Sequence, residues 1–285
     1  MSETAVDTPA SPFVSTQWLA ANLGAPDLVV VDASWHMPNS GRSGAKEYLE
    51  RHIPGAVHFD IDTIADHSTS LPHMLPTAHD FAVAVAALGI GDGLRIVVYD
   101  SVGLFSAPRV WWTFRAFGAH DVKILDGGLP KWLAEERPVE DGAVRRLPAV
   151  FNPRFDHSLV ADIERVDAAL KSGGAQVLDA RQDTRFRGEA PEPREGLPSG
   201  HMPGSFNLPH GRLVKDGRLV SPEEIRTVVA ATGLDLSRPV ITSCGSGVSA
   251  AILWVALEMI GKTPLALYDG SWTEWGASGK EIAVG

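Results

Sequence analysis

The chain has 285 residues, 35 acidic against 25 basic side chains, a net charge of -10 and a single cysteine. At about 150 residues per domain this is room for two domains, and 44% hydrophobic with 21% charged residues argues against wholesale disorder. An acidic chain without a basic run is a poor partner for nucleic acid, and one cysteine excludes both an internal disulfide and a four-cysteine zinc site.

The first basic residue is Arg42, and the opening segment lacks the apolar core of a secretory signal. The expectation is a short flexible tail over residues 1–12 and a cytoplasmic protein. No apolar run reaches the roughly 18 residues of a membrane span; the best one, 250–257, ends at Glu258. An apolar run at 28–31 ending in Asp32-Ala33 reads as a buried strand, followed by the turn His52-Ile53-Pro54-Gly55. A helix starts at Thr77, with Asp80 three residues on, and stops near Gly89. A strand at 95–99, a turn, an apolar helix at 107–117 and a short strand before Asp126-Gly127 complete the first unit, residues 13–137. Residues 138–158, with Pro138, Pro148 and Pro153 and no periodicity, read as a linker.

Residues 159–285 then repeat the same grammar. A strand at 177–178 ends in Asp179-Ala180, and His201-Met202-Pro203-Gly204 repeats the turn. Ser221-Pro222-Glu223-Glu224 has the form of a capping box with proline at the first helical position, and its helix stops near Gly233. A strand at 239–243, a helix at 248–260 and a strand before Asp269-Gly270 follow. Ser106-Ala107, Asp126-Gly127 and Trp132 recur 143 residues on as Ser249-Ala250, Asp269-Gly270 and Trp275. Blocks repeated in one order argue for a duplicated domain. Strands alternating with helices imply an α/β fold, with a mostly parallel sheet flanked by helices in each half.

Cys244 falls in Thr242-Ser243-Cys244-Gly245-Ser246-Gly247-Val248-Ser249-Ala250, after a strand and before a helix. Ligands of open α/β sheets bind beyond the carboxyl ends of strands. Glycines let successive N–H groups, here those from Gly245 to Ser249, converge as an anion nest around the bound sulfur, and the helix start adds more. A lone cysteine is often only a buried apolar side chain, but a core cysteine needs no flanking glycines, so this one reads as a nucleophile held as thiolate. Its partner in the first half is Ser101, which cannot carry a persulfide and has no base beside it in sequence. Only the second half is expected to be catalytic.

The chain resembles the tandem-domain rhodanese-type sulfurtransferases along nearly its whole length. The resemblance rests on His52-Ile53-Pro54-Gly55-Ala56, on Phe105-Ser106-Ala107-Pro108-Arg109-Val110-Trp111-Trp112, on Leu125-Asp126-Gly127-Gly128 and on Tyr268-Asp269-Gly270-Ser271-Trp272. It implies two rhodanese-like domains, the first inactive. It also implies a cleft between them, and a cysteine that takes sulfur from a donor as a persulfide and passes it to an acceptor. The loop Cys244-Gly245-Ser246-Gly247-Val248-Ser249 is similar to that of the 3-mercaptopyruvate-using members, with serine where threonine is usual. Thiosulfate-using members carry basic residues there. By position, Arg185 and Arg194 match the substrate-binding arginines, whose planar forks suit a carboxylate; surface pairing with Glu189, Glu192 and Glu195 is the plainer alternative. Arg187 is expected to point away along an extended segment. Asp62 and His73, with Ser246, match a polar relay proposed for the family; the alternative is a turn bonded to its own backbone.

The expected substrates are a small sulfur donor and a small thiol, cyanide or a thioredoxin-like acceptor, with no metal or cofactor. Trp111, Trp112 and Trp254 are expected in the core. Asp32 and Asp179 are expected to bond turn amides. A cysteine phosphatase is disfavoured because the phosphate-clamping arginine six residues after the cysteine is here Ala250. Thiosulfate:cyanide sulfur transfer and a protein-to-protein sulfur relay stay open.

Overall fold

In a computed structural model that describes residues 11–285, the chain forms two five-stranded parallel sheets of the same topology. The first sheet is built from β1 (Phe13–Val14), β2 (Leu28–Asp32), β3 (Val57–His58), β4 (Arg95–Tyr99) and β5 (Val122–Leu125), in the order β1-β5-β4-β2-β3. Its helices are α1 (Thr16–Asn22), α2 (Gly44–Glu50), α3 (Ala78–Ala87), α4 (Ala107–Ala116) and α5 (Gly128–Ala134). The second sheet is built from β6 (Val160–Ala161), β7 (Gln176–Asp179), β8 (Phe206–Asn207), β11 (Val240–Ser243) and β12 (Ala266–Tyr268), in the equivalent order β6-β12-β11-β7-β8. Around it lie α6 (Ile163–Ser172), α7 (Asp183–Phe186), α8 (Pro222–Ala230), α9 (Ala250–Met259) and α10 (Ser271–Ala277), while β9 (Val214–Lys215) and β10 (Arg218–Leu219) form an antiparallel hairpin.

The start signals do what their chemistry suggests. Thr77 Oγ1 accepts from the Asp80 amide at 3.1 Å, and Ser221 and Glu224 close a reciprocal capping box. Gly89 and Gly233 take left-handed backbone just past α3 and α8. The helix expected from 248 begins two residues later, at Ala250, because the Cys244 loop needs those residues for its own turn.

The central strands of both sheets are covered on both faces, so β2 and β11 are buried at every residue. Helix α9 is buried from Ala250 to Leu257 and apolar on every side. One face covers its own sheet and another packs on α4, where Trp112 and Trp254 approach with ring centroids 6.4 Å apart. Trp111, Trp112 and Trp254 are all core residues. The interface between the halves is therefore continuous with the main core, and the loops leaving β4 and β11 are fixed beside it.

Of the expected tail, residues 1–10 lie outside the described residues. Ser11 and Pro12 are tied down: the Lys123 ammonium donates to the Ser11 carbonyl and the Ile124 amide to that of Pro12. Residues 141–156 hold no helix or strand but are laced onto the first half. The Ala149 amide donates to the Ala86 carbonyl, the Arg154 amide to that of Phe117, and Phe151 is buried.

Candidate active site

Cys244 is 2% exposed at the carboxyl end of β11. Its backbone N–H and that of Gly247 both donate to one oxygen, Ser271 Oγ, at 3.2 and 3.1 Å. Ser271 donates in turn to the Tyr268 carbonyl at 2.7 Å. It reaches this position with a left-handed φ of 50°, a costly conformation for a residue with a side chain. The far side of the turn is anchored by Thr273, whose amide and hydroxyl both donate to the Gly245 carbonyl. Among the described residues, the N–H groups of Gly245, Ser246, Val248 and Ser249 find no acceptor in the protein, as an anion nest requires. The Gly247 N–H, expected among the donors of the nest, belongs to Ser271 instead.

The first half provides an internal comparison. At the equivalent turn the Asp100 carboxylate accepts from the amides of Val102, Phe105 and Ala107 at 3.0, 2.7 and 2.9 Å. Those positions match Gly245, Val248 and Ala250. The first nest therefore already holds an anion, one of its own. Ser101 is less isolated than its sequence neighbours suggest: it donates to Glu47 at 3.0 Å, and His36 Nε2 lies 2.9 Å from the same Glu47 oxygen and 3.3 Å from Ser101. One imidazole nitrogen faces both groups, so this is not the geometry in which a carboxylate orients a base through its other nitrogen. Burial raises the Glu47 carboxyl, but Arg42, His36 and Ser101 together bring it down to about 2.

A cavity of about 300 Å³ opens over Cys244. Arg185, Arg194 and His210 line it from the second half, and Trp35, Met37 and Phe105 from the first. The two arginines differ. Arg185 Nη2 pairs with the buried Glu192 carboxylate, which also holds Arg181 at 2.9 Å, and Arg181 is paired with buried Asp179. Pairing with Glu192 is thus real, but inside the site and not on the surface. Arg194 has no carboxylate within ion-pair distance among the described residues; its Nη2 meets His73 Nε2 at 3.3 Å. Burial lowers its pKa, the charge on Cys244 opposes this, and Arg185 reinforces it. Arg187 turns to the surface, but not along an extended segment. Residues 183–186 are helical, and Arg187 pairs with Asp183 one turn back and with Glu189.

Asp62 and His73 are brought together. His73 Nδ1 lies 2.8 Å from Asp62 Oδ1, a close contact off the line of the ring N–H. Trp35 Nε1 donates to the other Asp62 oxygen at 2.7 Å and stacks edge-on against the His73 ring. Burial holds His73 below its ordinary pKa, Asp62 opposes, and Arg109 and Arg194 reinforce. The neutral ring therefore turns a lone pair to Arg194. Ser246 makes no hydrogen bond to this pair; the contact of the pair is with Arg194, through His73. Asp32 and Asp179 do bond turn amides, those of Ser34 and Arg181, both at 2.8 Å.

Two residues escaped the sequence reading. Arg109, buried on α4, donates to the carbonyls of His73 at 2.6 Å and Gly247 at 3.2 Å, and its Nη2 lies 2.6 Å from Asp269 Oδ1. Ser271 had a signal: its twin in the repeat is Gly128, also left-handed at φ 52°. A serine kept where the backbone favours glycine marks a side chain with work to do.

The model of the rhodanese-like domain matches residues 15–135 and again 162–278. The chain belongs to the rhodanese family. The 3-mercaptopyruvate sulfurtransferase of Homo sapiens is 45% identical over 92% of this chain and 91% of its own. The thiosulfate sulfurtransferase of Bos taurus is 44% identical over the same shares. The crystal structure of SseA from Escherichia coli superposes with a TM-score of 0.86 at 40% identity, over 92% of this chain and 99% of that one. The chain has two rhodanese domains, each a parallel sheet with flanking helices, and with relatives of this identity named sulfurtransferases over nine-tenths of its length it is a sulfurtransferase. No helix among the described residues is long and apolar enough to cross a membrane.

Proposed function

We propose that the chain transfers sulfur from 3-mercaptopyruvate through a persulfide on Cys244 to a thiol or cyanide, the second half (residues 159–285) being catalytic. Near-equal identity to a mercaptopyruvate and a thiosulfate enzyme leaves donor choice to the site. The observation that carries the reading is Arg194, without a carboxylate partner among the described residues, beside a cysteine loop with no basic side chain of its own. That arrangement suits a donor with one carboxylate and a neutral ketone better than a compact dianion.

The donor enters the cavity with its carboxylate on Arg194, and Arg185 adds a second, partly neutralised fork. The Cys244 thiolate attacks the donor sulfur. A sulfur–sulfur bond forms as the carbon–sulfur bond breaks, whose electron pair leaves as the pyruvate enolate; the donor's S–H proton is released to water and the enolate carbon takes one back, giving pyruvate and a persulfide anion. The open amides of Gly245, Ser246, Val248 and Ser249 receive the anionic persulfide as preorganised donors. An acceptor then removes the outer sulfur, giving two-step covalent kinetics. A reducing setting such as the cytoplasm is supported by the chemistry of a single thiol that must stay unoxidised between turnovers.

Intact-mass measurement after donor exposure should find one added sulfur on the protein and none on the Cys244→Ser variant. The ratio of kcat/KM for 3-mercaptopyruvate over thiosulfate should exceed ~10, about 1.4 kcal/mol of preference. A ratio below one would reassign the donor, and sulfur loading of the serine variant would reassign the nucleophile.

A further inference from the structure

The second half of the cycle has a proton to move. A thiol acceptor has a pKa of about 8.5 and is mostly protonated at neutral pH, whereas the attacking species is the thiolate. Two imidazoles stand near the site. His73 has both nitrogens faced by charged side chains, Nδ1 by Asp62 and Nε2 by Arg194. His210 differs. Its Nδ1 lies 3.2 Å from the Ala180 carbonyl, which only accepts, so this nitrogen carries the proton. Nε2 is left as a lone pair with no partner among the described residues, and it is not sealed from solvent. The ring lines the same cavity as Cys244, with Phe105 of the first half packed beside it at 5.7 Å between centroids. It is thus held between the two halves, in the wall of the cavity that holds Cys244.

Resting on the sulfurtransferase reading above, we infer that His210 is the general base that deprotonates a thiol acceptor. Nε2 takes the S–H proton, and the acceptor sulfur attacks the outer sulfur of the Cys244 persulfide. The sulfur–sulfur bond breaks, and its electron pair returns to Cys244 as thiolate. The acceptor leaves as a persulfide anion, and the imidazolium gives its proton to water. Charge balances: a persulfide anion and a neutral thiol become a thiolate, a persulfide anion and a proton. The charged groups sharing the cavity are Arg181, Arg185, Arg194 and Cys244. Burial lowers the His210 pKa, the Ala180 hydrogen bond opposes, and Arg185 reinforces, which favours the neutral ring, the form able to accept a proton.

The test compares two acceptors on sulfur-loaded protein. Dithiothreitol must lose a proton to attack; sulfite, at a pH where it is the dianion, need not. His210→Phe keeps an aromatic ring against Phe105, and His210→Ala leaves room for added imidazole. Mass measurement first shows that sulfur has been loaded, which separates failure of this step from failure of the persulfide reading itself. In each variant the ratio of dithiothreitol to sulfite discharge rates should fall on the order of 100-fold, the usual yield of a positioned base. Imidazole should restore part of it in His210→Ala. An unchanged ratio, or equal losses for both acceptors, would overturn the assignment. Absence of loading in the unaltered protein would remove the persulfide and this step with it.

Discussion

One hydroxyl oxygen, Ser271 Oγ, satisfies the amides of Cys244 and Gly247 and so ties the two ends of the Cys244 turn together. Ser271→Ala would leave both donors buried and unpaired, at about 1–3 kcal/mol each for a buried group without its partner. Urea denaturation should therefore show a loss of about 2 kcal/mol or more, and kcat should drop further than the KM for the donor rises. Ser271→Gly tests the same oxygen while relieving the left-handed backbone, and should recover stability but not turnover. A variant without the oxygen that keeps full kcat would reduce Ser271 to a structural spacer. At this scale much of the site was legible. Cys244 stood out by its glycines, and Arg185 and Arg194 by resemblance. The unequal state of those arginines was not legible, because it depends on where the Glu192 carboxylate folds back.

The two strand-to-helix loops differ in whether their amides are free to receive an anion. A serine in place of a cysteine is half of the contrast between them. The other half is the Asp100 carboxylate, which fills the amides that an external anion would need. Glu47, ionised down to about pH 2, adds a further negative charge against position 101. In a Cys244→Ser background, Ser101→Cys alone should gain no sulfur from donor, because thiolate and persulfide would face two carboxylates. Adding Asp100→Ser and Glu47→Gln should make loading at position 101 detectable by mass. Loading of the single substitution would show that the filled nest is no barrier. Element by element, the chain was readable where signals are local: apolar runs for the central strands, Thr77 and Ser221 for helix starts, glycines for their ends. The short helix at 183–186 was missed because four residues carry no period. The grouping of His36, Glu47 and Ser101 was missed because nothing local links such distant positions.

Across the whole molecule, the first half contributes a buried cation to the second. Arg109 lies over Trp112 in its own half and crosses the interface to the Gly247 carbonyl and the Asp269 carboxylate. Asp269 in return accepts from the Leu75 amide at 2.8 Å, two residues from His73. The nucleophile loop, the segment holding His73 and helix α4 are thereby pinned at one point. A buried pair is weak evidence of net stability, but removing one partner leaves a charge with no compensation, at about 3–5 kcal/mol. Arg109→Met should cost roughly that much in denaturant, with kcat falling because Gly247 is released, and Asp269→Asn should behave alike. The double variant carries no orphan charge, so it should be more stable than the sum of the single losses, by a coupling of about 0.5–3 kcal/mol. Its kcat should nonetheless stay low, since the carbonyl of Gly247 would still lack its donor. Additive stability losses would mean that the pair acts through separate contacts. Recovery of kcat in the double variant would mean that the first half serves only as packing for the catalytic one.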